Sequence, residues 1–300
     1  PEETHNICLN SDAVLFGAVG DPKFDNNPSA KVRPEEGLLR MRKKLGLYAN
    51  IRPTYTFESL LDKSPIKKNI IEGTDLVFVR ELTGGIYFGK RGRKKNNDFA
   101  FDTCEYSKDE IKRLAKIGFE LSMKRSKRLC CVDKANVLES SRLWRETVQS
   151  MEKDFPNVKV NYEFVDAVAM RLIQYPNSYD VLITGNLFGD ILTDEASVIS
   201  GSMGLMPSAS MGLKTSIYEP IHGSFPQATG KNIANPLATI LSASMMFEES
   251  FKLINEAKLI KQVVSESISE KIVTADLSRN EKSYSTEDVG NWICKRIEKG

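Results

Sequence analysis

The sequence predicts an α/β protein in which helices cover both faces of a sheet. Short apolar runs, typical of buried strands, alternate along the chain with longer segments of helical periodicity. Hydrophobic residues make up 41% of the 300 positions, which is enough to build a large core. A chain of this length has room for roughly two domains of ordinary size.

Individual elements follow from their apolar patterns. Ile111, Leu114, Ala115 and Phe119 fall on one side of a helix, so they predict a helix with one apolar face. The predicted helices cover 108–124, 140–155, 166–174, 235–255, 256–269 and 286–299, and one more begins near residue 186. The predicted strands cover 13–16, 75–79, 128–132, 158–165 and 179–183, where apolar residues are nearly continuous.

The composition argues against nucleic-acid and membrane partners. The formal net charge is only +2, so no strong electrostatic field surrounds the protein. A basic run at 90–95 contains no aromatic residues, and we expect a solvated loop there rather than a nucleic-acid-binding patch. The longest apolar stretch, 237–247, is too short to span a bilayer, and no signal peptide is visible.

Cysteine usage indicates a reducing compartment. Five cysteines occur, at positions 8, 104, 130, 131 and 294, and none forms a C-x-x-C pair. Cys130 and Cys131 lie within an apolar, strand-like run. We therefore expect a cytoplasmic protein with reduced cysteines and no structural zinc.

The segment 184–194 carries the clearest functional signal. It follows a predicted buried strand and opens a helix. Asp190 and Asp194 are four residues apart, so a helix presents both carboxylates on one face. Paired carboxylates at this position suit Mg²⁺ or Mn²⁺, although a solvated acidic helix face would have the same spacing. The neighbouring Gly, Asn and Leu residues favour the metal site.

Charged and aromatic residues follow other predicted strands. Arg80 ends one strand just before a glycine-rich turn and Tyr87, at the edge where open α/β sheets bind ligands. Together with Arg42 and Arg52 it can grip a dicarboxylate, or each arginine can pair with a surface glutamate. Lys134 is either a base with a lowered pKa or an ordinary surface lysine. Tyr87 is either the matching acid or a packed aromatic residue.

Four segments together resemble the β-decarboxylating dehydrogenases of the isocitrate/isopropylmalate dehydrogenase family. They are RELTGGIYFG at 80–89, VDKANVL at 132–138, NLFGDILTD at 186–194, and EPIHGS at 219–224 with IANP at 233–236. The resemblance covers essentially the whole chain. It implies a two-domain α/β fold with an active-site cleft between the domains. This is not a Rossmann fold, and no Gly-x-Gly-x-x-Gly follows a strand here. The first domain would comprise 1–48 and 201–300, and the second, with the dimer interface and metal site, 49–200.

The resemblance also implies a role for each matching residue. The substrate-binding residues would be Arg42, Arg52, Arg80, Asp166, Leu38, Leu39 and Val137. Asp166, Asp190 and Asp194 would coordinate Mg²⁺ or Mn²⁺. NAD would be bound by Glu219, His222, Gly223, Ser224, Gln227 and Asn235. Tyr87 and Lys134 would be the acid–base pair, and Lys134, Val137 and Asp166 would come from the partner subunit of a homodimer with a shared site.

Side-chain size selects the expected substrate. Leu38 and Leu39 match the family positions that line an isopropyl group, whereas isocitrate would need a polar partner for its third carboxylate. The resemblance therefore implies oxidation of 3-isopropylmalate to 2-oxo-4-methylpentanoate, a step of leucine biosynthesis. The alternatives are a tartrate, homoisocitrate or isocitrate dehydrogenase, or a non-catalytic subunit. Leu38 and Leu39 could instead be core residues of an amphipathic helix.

Two departures from the family pattern bear on these expectations. Gln227 stands where NAD-preferring members carry an acidic residue and NADP-preferring members carry Lys-Tyr. We expect NAD, because no cation is present there for a 2′-phosphate. The usual first strand and its Gly-Asp-Gly-Ile-Gly-Pro-Glu turn do not precede Ala13, so we expect the sequence to be N-terminally truncated and the cofactor site to lack part of its cradle.

Overall fold

The computed structural model describes residues 1–24, 34–94, 96–278 and 282–299. The helices are α1 Glu2–Leu9, α2 Pro34–Lys44, α3 Lys68–Ile71, α4 Lys108–Lys124, α5 Glu139–Met151, α6 Val165–Gln174, α7 Asn186–Ser200, α8 Leu237–Glu249, α9 Ile254–Ser269, α10 Ala275–Ser278 and α11 Thr286–Ile297. The strands are β1 Ala13–Leu15, β2 Ala49–Tyr55, β3 Asp75–Glu81, β4 Arg91–Arg93, β5 Ala100–Asp102, β6 Arg128–Asp133, β7 Lys159–Phe164, β8 Val181–Thr184, β9 Pro207–Met211 and β10 Ser216–Pro220.

One mixed sheet organises the described residues. Its eight strands follow the order β1-β10-β9-β2-β3-β8-β6-β7. The half from β3 to β7 is parallel, and α4, α5 and α6 provide the crossovers that parallel strands require. Strand β2 runs antiparallel to both β3 and β9. Strands from the beginning and end of the chain therefore share a sheet with strands from its middle.

Helices cover both faces of the parallel half, which confirms the predicted α/β class. Leu129 and Cys131 of β6 face the cluster built on α4 and α5, whereas Cys130 and Val132 face the cluster built on α6 and α7. A strand buried on both faces reads as a continuous apolar run, which is why β6 is visible in the sequence. A third core cluster joins α8, α9 and α11.

The predicted elements are present, but several boundaries differ; the helix predicted at 140–155, for example, ends at Met151 and is followed by a 3₁₀ turn at Glu152–Asp154. Helix α4 begins and ends at the predicted residues, and Ser107 caps its start in a capping box with Glu110. The helix predicted at 235–255 ends earlier: α8 stops at Glu249 and α9 begins at Ile254. Between them Lys252 adopts a positive φ of 59°, which breaks the helix. No glycine or proline marks this break in the sequence.

The basic run is a hairpin rather than the loop we expected. Arg91–Arg93 forms β4, which pairs antiparallel with β5, and Lys95 lies outside the described residues. All five cysteines are free, and Cys130 and Cys131 are buried. Over the residues described, no helix combines the length and apolar character that crossing a membrane requires. The division into two domains stays a prediction.

Candidate active site

The register of β2 and β3 places two arginines on one face of the sheet. Asn50 lies opposite Arg80, and Arg52 lies opposite Phe78. Because side chains alternate along a strand, Arg52 and Arg80 project to the same side. Both are buried, with 5% of Arg52 and 3% of Arg80 exposed. Two guanidinium groups therefore lie side by side beneath α7.

Helix α7 begins directly after β8 and lies across this arginine pair. Thr184 of β8 is the parallel partner of Arg80 in the sheet. A Cβ atom at Gly189 would lie 2.6 Å from Cγ of Arg80 and would also clash with the Thr184 hydroxyl. The glycine in the sequence motif is therefore needed for the close approach of α7 to the arginines.

Five predicted site residues meet at the start of α7. Nη1 of Arg80 lies 2.5 Å from Oδ1 of Asp190. The Tyr87 hydroxyl donates to Oδ2 of Asp190 over 2.7 Å. Nη1 of Arg52 lies 3.9 Å from Asp190 and 3.8 Å from Asp194. The two carboxylates share one face of α7, as their i, i+4 spacing requires, and that face points toward the arginine pair.

Neutral polar side chains hold both guanidinium groups in place. Arg52 donates through Nε to Oδ1 of Asn50 over 2.5 Å and through Nη1 to the Thr193 hydroxyl over 2.6 Å. Arg80 donates to the carbonyl oxygen of Asn186 over 2.9 Å and to its side-chain oxygen over 2.8 Å. The roles of Asn50, Thr193 and Asn186 are not predictable from the sequence, because neutral polar residues do not reveal which distant side chain they contact.

Burial and mutual repulsion disfavour the positive charges of Arg52 and Arg80. Burial, and then the neighbouring charge of Arg80, lowers the pKa of Arg52 to about 9. Burial also lowers the pKa of Arg80, although Asp190 opposes that shift. Any anion that entered this site would relieve the repulsion and form charge-assisted hydrogen bonds. The site therefore suits an anionic substrate.

Arg42 reaches the site from the last turn of α2 and is paired with Glu219 of β10. Nη2 of Arg42 lies 3.0 Å from Oε1 of Glu219, and both side chains are largely buried. Nε of Arg42 is buried without a hydrogen-bond partner. An unpaired buried donor is costly, so a further acceptor is expected here. Glu219, predicted as a cofactor residue, thus contacts a predicted substrate residue.

Tyr87 has the protonation state that a general acid needs. Burial, and then the hydrogen bond to Asp190, raises the pKa of Tyr87 to about 12. The phenol therefore carries its proton at neutral pH. It sits in a 3₁₀ turn at Gly85–Tyr87, directly after the glycines of the sequence motif.

Three other predicted site residues have contacts or exposure of their own within one chain. Nζ of Lys134 lies 2.5 Å from Oδ1 of Asp166, so these two pair with each other. Val137 is 61% exposed. Among the described residues, no group of three His, Cys, Asp or Glu side chains is arranged to hold a metal ion. One chain alone therefore brings together only part of the predicted site.

The carboxylate pair on α7 fits a divalent cation. Partial burial, and the charge of Asp190, raise the pKa of Asp194 even though Arg52 acts in the opposite direction. The Asp194 side chain remains 55% exposed, so an ion has access to it. A cation between the two carboxylates would relieve their repulsion, and oxygen donors of this kind suit Mg²⁺ or Mn²⁺.

The predicted cofactor residues follow β10. Nδ1 of His222 donates to the carbonyl oxygen of Gly223 over 2.9 Å, which leaves Nε2 as a buried acceptor without a partner. The Ser224 hydroxyl donates to the carbonyl oxygen of Gly20. Gln227 is exposed in a 3₁₀ turn. An adenosine group can supply the hydrogen-bond donor that His222 lacks, so the segment fits a nucleotide.

Asn235 is fixed by Asp276, a residue that no sequence motif indicates. Its amide donates to Asp276 over 3.0 Å, and its side-chain oxygen accepts from the backbone N–H of Leu237 over 3.0 Å. Asp276 also accepts from Ser202 over 2.9 Å and from Thr274 over 2.6 Å. Asp276 lies 41 residues from Asn235 in the sequence, so only the fold brings the two together.

Leu38 and Leu39 lie on α2 close to Arg42. Both are half-buried, whereas Met41 of the same helix packs into a core cluster. Within the described part of the chain, neither Leu38 nor Leu39 belongs to a core cluster. Residues three and four apart share a helix face, so both leucines lie beside Arg42. The helix therefore offers an apolar surface next to an anion-binding group.

Comparisons with known proteins agree with this arrangement. A family model described as isocitrate/isopropylmalate dehydrogenase matches residues 1–293. The 3-isopropylmalate dehydrogenase of Bacteroides fragilis (strain YCH46) is 56% identical over 300 residues, covering 100% of this chain and 84% of the relative. That of Aquifex aeolicus (strain VF5) is 47% identical over 303 residues, covering 100% and 83%. A crystal structure of isocitrate dehydrogenase from Methylococcus capsulatus matches with a TM-score of 0.88 at 29% identity, covering 99% of this chain and 85% of that one.

Proposed function

Because the chain belongs to the isocitrate/isopropylmalate dehydrogenase family, we propose that it oxidises and decarboxylates 3-isopropylmalate to 2-oxo-4-methylpentanoate. The observation that carries this proposal is the buried Arg52–Arg80 pair facing Asp190 and Asp194, with an unpaired Nε of Arg42 nearby. The relatives named 3-isopropylmalate dehydrogenase are 47–56% identical to this chain, against 29% for the isocitrate dehydrogenase structure. The activity belongs to leucine biosynthesis in the cytoplasm.

The arginines bind the two carboxylates of the substrate. Arg52 and Arg80 present guanidinium groups held rigidly by neighbouring oxygen atoms, so little conformational entropy is lost when an anion binds. Arg42 contributes the donor that has no partner. Leu38 and Leu39 contact the isopropyl group. A carboxylate in place of that alkyl group would be desolvated against apolar atoms, which disfavours isocitrate.

Proton transfer is divided between two residues. A base removes the proton of the C2 hydroxyl while C2 loses a hydride, and the C3 carboxylate then leaves as CO₂. An acid protonates C3 of the remaining enolate. We assign Tyr87 as the acid, since its raised pKa keeps it protonated. We assign Lys134 of the partner subunit as the base, because the family resemblance implies this role and because within one chain the Lys134 ammonium pairs with Asp166.

A homodimer therefore completes the site in this proposal. Asp190 and Asp194 hold Mg²⁺ or Mn²⁺ together with Asp166 of the partner subunit. When bound, the ion supplies Lewis-acid stabilisation of the substrate's developing negative charge. In this proposal the partner subunit would also cover the Val137 side chain, which is 61% exposed in the single chain.

NAD is the proposed cofactor, and when bound it accepts the hydride from C2. His222, Gly223, Ser224 and Asn235 hold its adenosine half. The buried, unpaired Nε2 of His222 supports this role. Gln227 is exposed beside this segment and carries no positive charge for a 2′-phosphate, so NAD is favoured over NADP.

Steady-state assays with four substrates test the proposal. Reduction of NAD and of NADP would be followed by the absorbance of the reduced cofactor. The four substrates are 3-isopropylmalate, homoisocitrate, tartrate and isocitrate. The highest kcat/KM is expected for 3-isopropylmalate with NAD. A higher kcat/KM for isocitrate would reject the substrate assignment, and absence of turnover with all four would support a non-catalytic subunit.

A further inference from the structure

The phenol ring of Tyr106 lies between the two segments that carry Tyr87 and Asp190. We propose that Tyr106 is a positioning residue that fixes the contact between the hydroxyl of Tyr87 and the carboxylate of Asp190. This inference rests on the proposed function, and it names a residue to which neither the sequence motifs nor the family resemblance assigned a role.

On one side, Tyr106 packs against the glycine turn that precedes Tyr87. A Cβ atom at Gly84 would lie 3.0 Å from Cε1 of Tyr106, and one at Gly85 would lie 2.8 Å from its Cζ. Gly85 adopts a positive φ of 69°, and its backbone N–H donates to the carbonyl oxygen of Glu105 over 3.0 Å. The turn thus follows the surface of the tyrosine ring closely.

On the other side, Tyr106 caps helix α7. The first N–H groups of a helix have no partner within it, and the N-cap residue Gly185 has no side chain to supply one. The Tyr106 hydroxyl accepts a hydrogen bond from the backbone N–H of Asn186 over 2.8 Å. The Asn186 side chain donates in turn to the carbonyl oxygen of Gly84 over 3.1 Å. The ring, the turn and the helix start form a closed set of contacts.

The ring itself is held by elements outside the active site. Tyr106 lies edge-on to Trp144 of α5, with ring centroids 5.1 Å apart and planes at 74°. Trp144 is buried in the core cluster that supports the sheet. Ser107, the next residue, caps α4. Tyr106 therefore connects the segments that carry Tyr87 and Asp190 to the packed core around Trp144.

Loss of the hydroxyl should act through this geometry. In Tyr106→Phe the ring still fills the space beside the glycines, but the Asn186 N–H loses its acceptor and α7 is free to shift. A displacement of about 1 Å can cost on the order of 10²-fold in rate. We expect kcat with 3-isopropylmalate to fall at least roughly tenfold. The change in KM should be smaller, because Asn50 and Thr193 still hold Arg52 and Glu219 still holds Arg42.

A double-mutant cycle separates positioning from general destabilisation. If Tyr106 acts by fixing Tyr87, then Tyr106→Phe should reduce kcat by less than about twofold in a Tyr87→Phe background. Tyr162→Phe is the matched control, because it also removes one phenolic hydrogen bond, to Glu152. Equal losses of kcat in both backgrounds, or a loss no greater than that of Tyr162→Phe, would overturn the proposal.

Hydrogen–deuterium exchange tests the cap without requiring turnover. Exchange in the segment 184–190 should be at least roughly tenfold faster in Tyr106→Phe than in the unmodified protein, and unchanged in Tyr162→Phe. Unchanged exchange in Tyr106→Phe would refute the capping role. Inactivity of the unmodified protein toward 3-isopropylmalate would instead refute the proposed function, so the two failures are distinguishable.

Discussion

Tyr87 and Asp190 are in direct contact: the phenolic hydroxyl donates to Oδ2 over 2.7 Å. The proposed acid and a proposed metal ligand are therefore neighbours, although 103 residues separate them in the sequence. Arg80 binds the other oxygen of the same carboxylate, so in the proposed mechanism Asp190 would link substrate binding, proton transfer and metal binding. Substitutions at these positions should have distinct kinetic signatures.

Tyr87→Phe should lower kcat while leaving the KM for 3-isopropylmalate nearly unchanged. The substitution keeps the aromatic ring, which lies 5.9 Å from the Arg80 guanidinium, and removes only the proton donor. General acid catalysis is worth roughly 10²–10⁴-fold, so kcat should fall by a factor in that range. Steady-state kinetics check this, with Tyr179→Phe as the control, since its hydroxyl binds Glu163 away from the site. A large rise in KM at constant kcat would argue that Tyr87 only binds substrate.

Asp190→Asn should remove metal-dependent activity. The amide keeps the shape of the side chain, but it no longer carries the charge that Arg80 and a divalent cation both require. We expect turnover to fall by orders of magnitude, and the unmodified protein to lose turnover in excess EDTA and regain it with Mg²⁺ or Mn²⁺. The exposed Asp154→Asn is the control. Undiminished turnover in excess EDTA would reject the metal site.

Mixed dimers should recover activity from two inactive chains. Lys134→Ala and Asp190→Asn would damage different halves of a shared site, so a hybrid dimer retains one site with all of its residues. When equal amounts of the two chains pair at random, about half of the dimers are hybrids, and each hybrid has one intact site out of two. We therefore expect up to about a quarter of normal activity after subunit exchange. Mixing Lys134→Ala with itself is the control. If verified exchange restores no activity, Lys134 does not act across the subunit interface.

Asp180→Asn should lower stability in a pH-dependent way. Burial alone would raise the pKa of Asp180, but hydrogen bonds from Ser126 and Arg125 outweigh it and hold the pKa below its usual value. The carboxylate therefore stabilises the fold above its unfolded-state pKa of about 3.9, and this contribution is lost as pH falls through the lower folded-state pKa. Urea unfolding should show a loss of roughly 1–3 kcal/mol in the variant at pH 7.

The difference between Asp180→Asn and the unmodified protein should shrink as the pH falls below about 4. Asp154→Asn, at an exposed position, should show neither the loss nor its pH dependence. A difference in unfolding free energy that stayed constant from pH 7 to pH 3 would mean that packing, rather than charge, accounts for the effect.

The sequence was sufficient for features that depend on local spacing. The i, i+4 carboxylates of Asp190 and Asp194, and the apolar face of α4, require only the geometry of one helix. The closeness of Arg52 to Arg80 depends instead on β2 lying antiparallel to β3. Strand β2 has no continuous apolar run, because Arg52 and Pro53 interrupt it, so its position was not predictable from local pattern.

Long-range polar contacts were the least predictable part of the site. Asp276 holds Asn235 although it belongs to no recognised motif, and Thr193 holds Arg52 although its place in the motif at 186–194 does not indicate that contact. Such contacts arise only when distant segments pack, and many surface Asp and Thr residues look the same in sequence. Lys134 and Asp166 illustrate a further limit, because their proposed site needs a second chain.

The stoichiometry of the reaction tests the proposed activity most directly. The protein would be incubated with NAD, Mg²⁺ and 3-isopropylmalate labelled with ¹⁴C in the carboxylate on C3, and NADH and labelled CO₂ would be measured over time. We expect NADH and labelled CO₂ to appear in equal amounts, with 2-oxo-4-methylpentanoate as the product. Failure to form NADH, or formation of NADH without release of labelled CO₂, would contradict oxidative decarboxylation of 3-isopropylmalate.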